Sequence, residues 1–158
     1  MSVLVSQRGE SRFEVFHNAY KIRKMATDLA LREFGYKRKI IEHGTEQQRE
    51  RRNGFEEWFI GNSRKAVISA CRTLINNLTA ANAIFPNCKE ELTERRVYQD
   101  RALGAVYVIA QELQYAMETL PVDINKFLII AEPLEKEIGL IKQWRKSDNK
   151  RFKFVENK

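Results

Sequence analysis

The chain holds two histidines, His17 and His43, and each stands where it could do chemistry. Glu14 precedes His17 by three residues, a spacing that puts a carboxylate and an imidazole on one face of a helix. Helical bundles that hold two metal ions use two Glu-x-x-His pairs plus two further carboxylates, all pointing inward. The second histidine has Ile40 at the matching position, so only half of that set is present. Glu14 and His17 also flank an apolar stripe without joining it, which makes His17 a surface side chain and predicts no metal site. A second arrangement places an arginine five residues before each histidine: Arg12 with His17, and Arg38 with His43. An imidazole can move the proton of a phosphodiester cleavage while a guanidinium meets the charge that develops on phosphate. Phe13 and Lys39 follow these arginines, and among 28 Lys and Arg such a spacing arises easily by chance.

That arginine–histidine spacing resembles the motif of metal-independent ribonucleases of the HEPN kind, which are also helical bundles. The resemblance implies metal-free RNA cleavage, one alternative for this chain. No Gly-rich phosphate loop, Ser/His/Asp constellation or CxxC pair occurs. Cys71 and Cys88 have no metal-ligand spacing; Cys71 falls on an apolar helical stripe and is expected as a core thiol in a reducing compartment. The pair Glu132 and Glu135 reads as a solvated face. The sequence therefore predicts a non-enzymatic protein without a cofactor, and its positive charge is left to explain.

The elements that position these residues are helical. Apolar residues recur at alternating steps of four and three, the period of an amphipathic helix. One such stripe is Val15, Ala19, Ile22, Ala26 and Leu29, with Ser11 and Glu14 as a capping box and Gly35 as a stop. A second is Val67, Cys71, Leu74, Leu78, Ala81 and Phe85, starting near Phe55, Trp58 and Phe59 and ending before Pro86. A third is Ala102, Val106, Ile109, Leu113, Ala116 and Leu120. The fourth is Ile124, Phe127, Ala131, Leu134, Ile138 and Ile141, with Asp123 as N-cap and a kink expected at Pro133. These stripes predict an all-α fold, an antiparallel up-down four-helix bundle in one domain over 1–158. The helices are placed at 12–34, 55–85, 90–120 and 123–147, with a mobile charged linker over 36–54 and a basic tail over 148–158. Off-stripe apolar residues, Ile60, Ile68 and Ile75 in the second helix and Val97, Ala105 and Val108 in the third, fit either a subunit contact or a broad core face.

Charge bounds the partners. Lys and Arg exceed Asp and Glu by 28 to 21, a net of +7, which permits nucleic acid or an anionic membrane. No apolar run is long enough to span a bilayer, and the start "MSVLVSQRGESRF" lacks a signal-peptide pattern, so a cytoplasmic protein without membrane contact is expected. Candidate nucleic-acid contacts fall in three clusters. Arg64, Lys65 and Arg72 form a patch on the second helix, and Arg95, Arg96 and Arg101 open the third. Lys142, Arg145, Lys146, Lys150 and Arg151 form the densest cluster, with Asp148 the one acid among them and Phe152 and Phe154 interleaved farther on. Cations at a helix C-terminus complement the macrodipole, but these continue past the helix end. Aromatics among cations suit base stacking, and equally a protein partner. No base-reading motif is present, so binding is expected to be backbone-driven and salt-sensitive.

The segments "FEVFHNAYKIRKMATDLALREFGYK", "AANAIFPNCKEELTERRVYQDRALG", "ELQYAMETLPVDINKF" and "LIKQWRKSDNKRF" together resemble a family of small four-helix bundles. That family includes the accessory variability determinants of diversity-generating retroelements and, more broadly, the intervening-sequence ribosomal proteins. The resemblance implies a basic bundle that assembles into a five-fold barrel, a homo-oligomeric pentamer. It also implies binding to the retroelement reverse transcriptase, its template RNA and the cDNA, in support of mutagenic cDNA synthesis. The basic positions Arg145, Lys146, Lys150 and Arg151, with Arg95, Arg96 and Arg101, match the character such binding needs, and the resemblance carries no catalytic motif.

Overall fold

Four long helices follow one another in the computed structural model, which describes residues 10–36 and 44–156. They are α1 (Glu10–Leu31), α2 (Glu46–Ala83), α3 (Lys89–Thr119) and α4 (Asn125–Arg151), followed by a single turn, α5 (Lys153–Glu156). No strand occurs among the described residues, so the chain folds as an all-α helical bundle. α2 packs on α1 and α3, and α4 closes the set against both α1 and α3. Side-chain ties give the directions. Arg95 reaches the carbonyl of Ala81 while Phe59 meets Tyr115, so α2 and α3 run oppositely. Arg95 with Asp148 and Arg145 with Asp100 set α3 against α4 in the same sense.

The expected stripes form the core wherever period and apolarity agree. Val15, Ala19, Ile22 and Ala26 of α1 are buried, as are Val67 to Ala81 of the second stripe and all six residues of the third. Cys71 is buried among them, and desolvation pushes its thiol up to about 11. Below that value the thiol stays protonated and inert.

Several expectations are corrected. Residues 46–54 are helix and not linker. Thr45 and Gln48 make a reciprocal capping box, with the Thr45 hydroxyl accepting from the Gln48 backbone N–H at 3.3 Å and the Gln48 side-chain Oε1 accepting from the Thr45 backbone N–H at 3.2 Å. Gln, Glu and Arg are good helix formers, so the helix extends past the core with no apolar stripe to mark it. Its first turns are exposed on all sides, and Phe55 and Trp58 are exposed with them. Residues 37–43 of the expected linker lie outside the described residues. Ser11 lies inside α1 and is not its cap. Asp123 accepts from the Asn125 N–H at 3.0 Å, although the residue flanking the helix is Ile124. Pro133 lies inside α4, which continues on both sides of it. Phe85, Ile124 and Ala131 are exposed and leave their stripes. Ile60, Ile75 and Ala105 are buried in the core, so a broad core face accounts for them, while Val97 and Val108 remain exposed.

The end of α1 has a conformational device of its own. Glu33, Phe34 and Gly35 take φ of 52°, 57° and 75°, all left-handed. For the two non-glycine residues this costs about 1–2 kcal/mol each. The turn drives Phe34 fully into the core, and burying such a ring returns about 1.5–3 kcal/mol.

No helix of the described residues is long and apolar enough to cross a membrane.

Candidate nucleic-acid interface

The three cationic clusters have different fates once folded. Arg95, expected on the surface, is 2% exposed. Its guanidinium forks onto Asp148, Nε to Oδ2 at 2.6 Å and Nη2 to Oδ1 at 3.1 Å. Nη1 donates to the carbonyls of Ala81 at 2.8 Å and Ile84 at 2.7 Å, closing the C-terminal end of α2. Gln99 donates to Asp148 Oδ2 at 2.6 Å. Trp144 and Phe152 line the same space, their rings 5.0 and 5.6 Å from the guanidinium carbon. Arg95 is therefore a structural cation and cannot meet a polyanion. The one acid of the C-terminal cluster, Asp148, is its counter-ion.

This correction has a sequence signal. Stepping back from Ala102 by the same three-and-four rule gives Gln99, Arg95 and Leu92, all buried. On α4 the buried face is Phe127, Ile130, Leu134, Glu137, Ile141, Trp144 and Asp148, again at alternating steps of three and four. Polar residues occupy core positions on both helices, where a pattern of apolar residues alone does not mark them. Phe152, expected as a stacking aromatic, is 1% exposed in a small cluster with Leu92 and Val155.

The rest of the C-terminal cluster is partly engaged. Arg145 pairs with Asp100, and Arg96 donates to the Asn149 side chain at 2.8 Å. Arg101 lies 5.7 Å from the Tyr98 ring. Arg151 stacks 5.3 Å from Phe85 and 5.4 Å from Phe152. Lys142, Lys146 and Lys150 are exposed.

The α2 patch is the reverse case. Gly61, Arg64, Lys65, Ile68, Ser69 and Arg72 line an open groove of about 480 Å³ along the helix. Its floor is apolar because Gly61 has no side chain and Ile68 is half-buried; a Cβ placed at Gly61 would meet nothing within 4 Å. None of Arg64, Lys65 and Arg72 has an ion-pair partner among the described residues. The reason is visible in the sequence: no Asp or Glu occurs between Glu57 and Glu90. Unneutralised charge beside a low-dielectric floor projects a stronger field than the same charge in a mixed surface. Trp58, exposed one turn before Gly61, extends this face toward the free end of α2.

The catalytic alternative falls mostly outside what can be placed. His17 is exposed on α1 beside an open pocket of about 200 Å³ that Lys21 and Lys136 also line. Lys136 pairs with Glu14 at 2.8 Å. The Arg12 side chain, Arg38 and His43 lie outside the described residues. Among the described residues no three His, Cys, Asp or Glu side chains cluster as metal ligands would. No protein-family model, curated protein or solved structure matches this chain.

Proposed function

We propose that this protein is a basic, non-enzymatic accessory protein of a diversity-generating retroelement. In this role it binds the reverse transcriptase and its template RNA and cDNA, as a pentameric homo-oligomer in the cytoplasm. The partner and the assembly rest on the sequence resemblance. The nucleic-acid part rests on one observation, the α2 groove in which Arg64, Lys65 and Arg72 stand without a counter-charge among the described residues. Such a surface holds phosphates through counter-ion release and reads no bases.

The test is RNA binding by the full chain, followed by fluorescence anisotropy across a salt series. Each phosphate contact to a single strand contributes about 0.7 to the slope of log affinity against log salt. The triple variant Arg64→Ala/Lys65→Ala/Arg72→Ala should lower that slope by about 2 and leave the melting temperature unchanged. A wild-type affinity that ignores salt, or a slope the triple variant does not move, would refute this assignment. RNA cut in the presence of EDTA, with cutting lost in His17→Ala, would move the protein to the ribonuclease class. Capture of reverse transcriptase that survives nuclease and high salt, without RNA binding, would make it a protein-only scaffold.

A further inference from the structure

At the end of the bundle where α2 and α4 finish, two phenylalanines stand in solvent. Phe85 is 58% exposed and Phe154 is 54% exposed. Both touch one buried ring, Phe152, at centroid distances of 5.5 Å edge-on and 6.3 Å tilted. Phe152 is fixed by Leu92 and Val155, so the two exposed rings have a rigid back. Phe85 is further fixed through its neighbours: the Ile84 carbonyl accepts from buried Arg95, and Pro86 is buried. These are preorganised apolar rings, not loose ends.

The surroundings are cationic. The Arg151 guanidinium lies against the Phe85 ring, and Lys150 and Lys153 are exposed on either side of it in sequence. Among the described side chains, the acids at this end are Asp148, Glu90, Glu91 and Glu94; Glu156 closes α5 and its side chain lies outside them. Asp148 is consumed by Arg95 and Gln99, and Glu91 accepts from the Asn87 N–H at 2.7 Å. Glu90 and Glu94 are exposed in the first turns of α3. Burial of Asp148 against Arg95 thus leaves Lys150 and Arg151, beside Phe85, with no free acid on the last turns of α4.

We infer that the Phe85–Phe154 corner stacks unpaired bases of a single-stranded nucleic acid whose phosphates Lys150, Arg151 and Lys153 hold. This rests on the nucleic-acid reading above and adds to it a preference for single strands. An aromatic face gains from stacking only when the base offers its own face, and a duplex closes those faces inside its stack. An apolar protein partner would suit the two rings but not the ring of cations around them.

The experiment compares a labelled RNA of about 12 nucleotides, within the length that small single-strand binders cover, with its duplex, on the full chain. Phe85→Leu and Phe154→Leu keep apolar bulk and remove the stacking face; circular dichroism checks that helicity is retained. Each should lower single-strand affinity about fivefold to 150-fold, the range for loss of one aromatic–base stack, with duplex affinity unchanged. Phe85→Trp should restore single-strand binding. Equal losses on single strand and duplex, or no loss on either, overturn the stacking site while wild-type binding leaves the wider reading standing. A wild-type chain that binds neither RNA overturns both. Loss of reverse-transcriptase capture in the Leu variants, with RNA binding intact, assigns the corner to a protein partner instead.

Discussion

The C-terminal cluster and the α2 patch invert what their sequences promise. Residues 142–158 carry seven cations against two acids and are the densest positive run in the chain. Yet Arg145 of that run is paired with Asp100, and Arg95, expected beside it on the surface, is buried on Asp148. α2 carries only three cations between Trp58 and Ala83, but no acid at all, and all three line a groove without an ion-pair partner among the described residues. Counter-charge within reach, and not the number of cations, decides how much positive field a surface projects. A run of Lys and Arg includes whatever the fold uses internally.

The largest effect expected from this contrast is at Arg95. Removing one partner of a buried, hydrogen-bonded ion pair leaves an uncompensated charge and costs about 3–5 kcal/mol. Arg95→Ala should therefore lower unfolding stability by that amount in urea, while Arg64→Ala on α2 should stay within about 0.5 kcal/mol. Asp148→Asn should lose much of the same stability, because Arg95 then stays buried without its counter-ion. A mild Arg95→Ala variant, no worse than a surface change, would mean that the two regions do not differ as argued.

How far the molecule could be read from its residues follows the same line. The helices were legible because period and apolarity coincide along most of each stripe, from Val15 to Ala26 and from Ala102 to Leu120. The extension of α2 back to Glu46 was not, because a solvated helix needs only propensity and a cap, here Thr45 with Gln48. Arg95, Glu137 and Asp148 sit on the buried period, but a pattern of apolar residues does not include them, and Ala131 and Ile138 stand one step away as apolar substitutes for Ile130 and Glu137. The burial of the three polar residues depends on a partner from another helix, which spacing within one helix cannot show. The groove was half legible: Lys65 and Arg72 share a face by their seven-residue step, but that no described acid folds back onto them is a tertiary fact.

Glu137 is a harder case of a buried charge and sharpens the comparison. It is fully buried, Asn18 donates to its Oε2 at 2.7 Å, and Oε1 has no partner among the described residues. Desolvation raises its carboxyl from the ordinary 4.5 to about 7, against smaller opposing effects of the Asn18 bond and Lys136. The folded state therefore holds this proton more tightly than the unfolded chain. Its contribution to stability is complete below about pH 4.5, falls as pH rises, and levels off above about pH 7. The change amounts to at most about 3 kcal/mol. Glu137→Gln should be close to wild type at pH 4.5 and more stable than wild type at pH 8. If the two unfolding curves stay parallel across that range, burial does not control this carboxyl.

Arg145, an exposed member of the C-terminal cluster, is where the smallest effect is expected. It and Asp100 are 43% and 49% exposed, so water screens the pair heavily. A double-mutant cycle of Arg145→Ala and Asp100→Ala should give a coupling of about 0.2–1 kcal/mol, shrinking toward zero in about 1 M salt. The more telling measurement is on binding. If counter-charge is what withholds a cation from nucleic acid, Asp100→Asn releases Arg145 at almost no structural cost. The RNA salt slope should then steepen by about 0.7, one added phosphate contact, while the melting temperature hardly moves. A slope that stays put would show that Arg145 faces away from the bound strand, and would confine the phosphate surface to the α2 groove and the lysines beyond it.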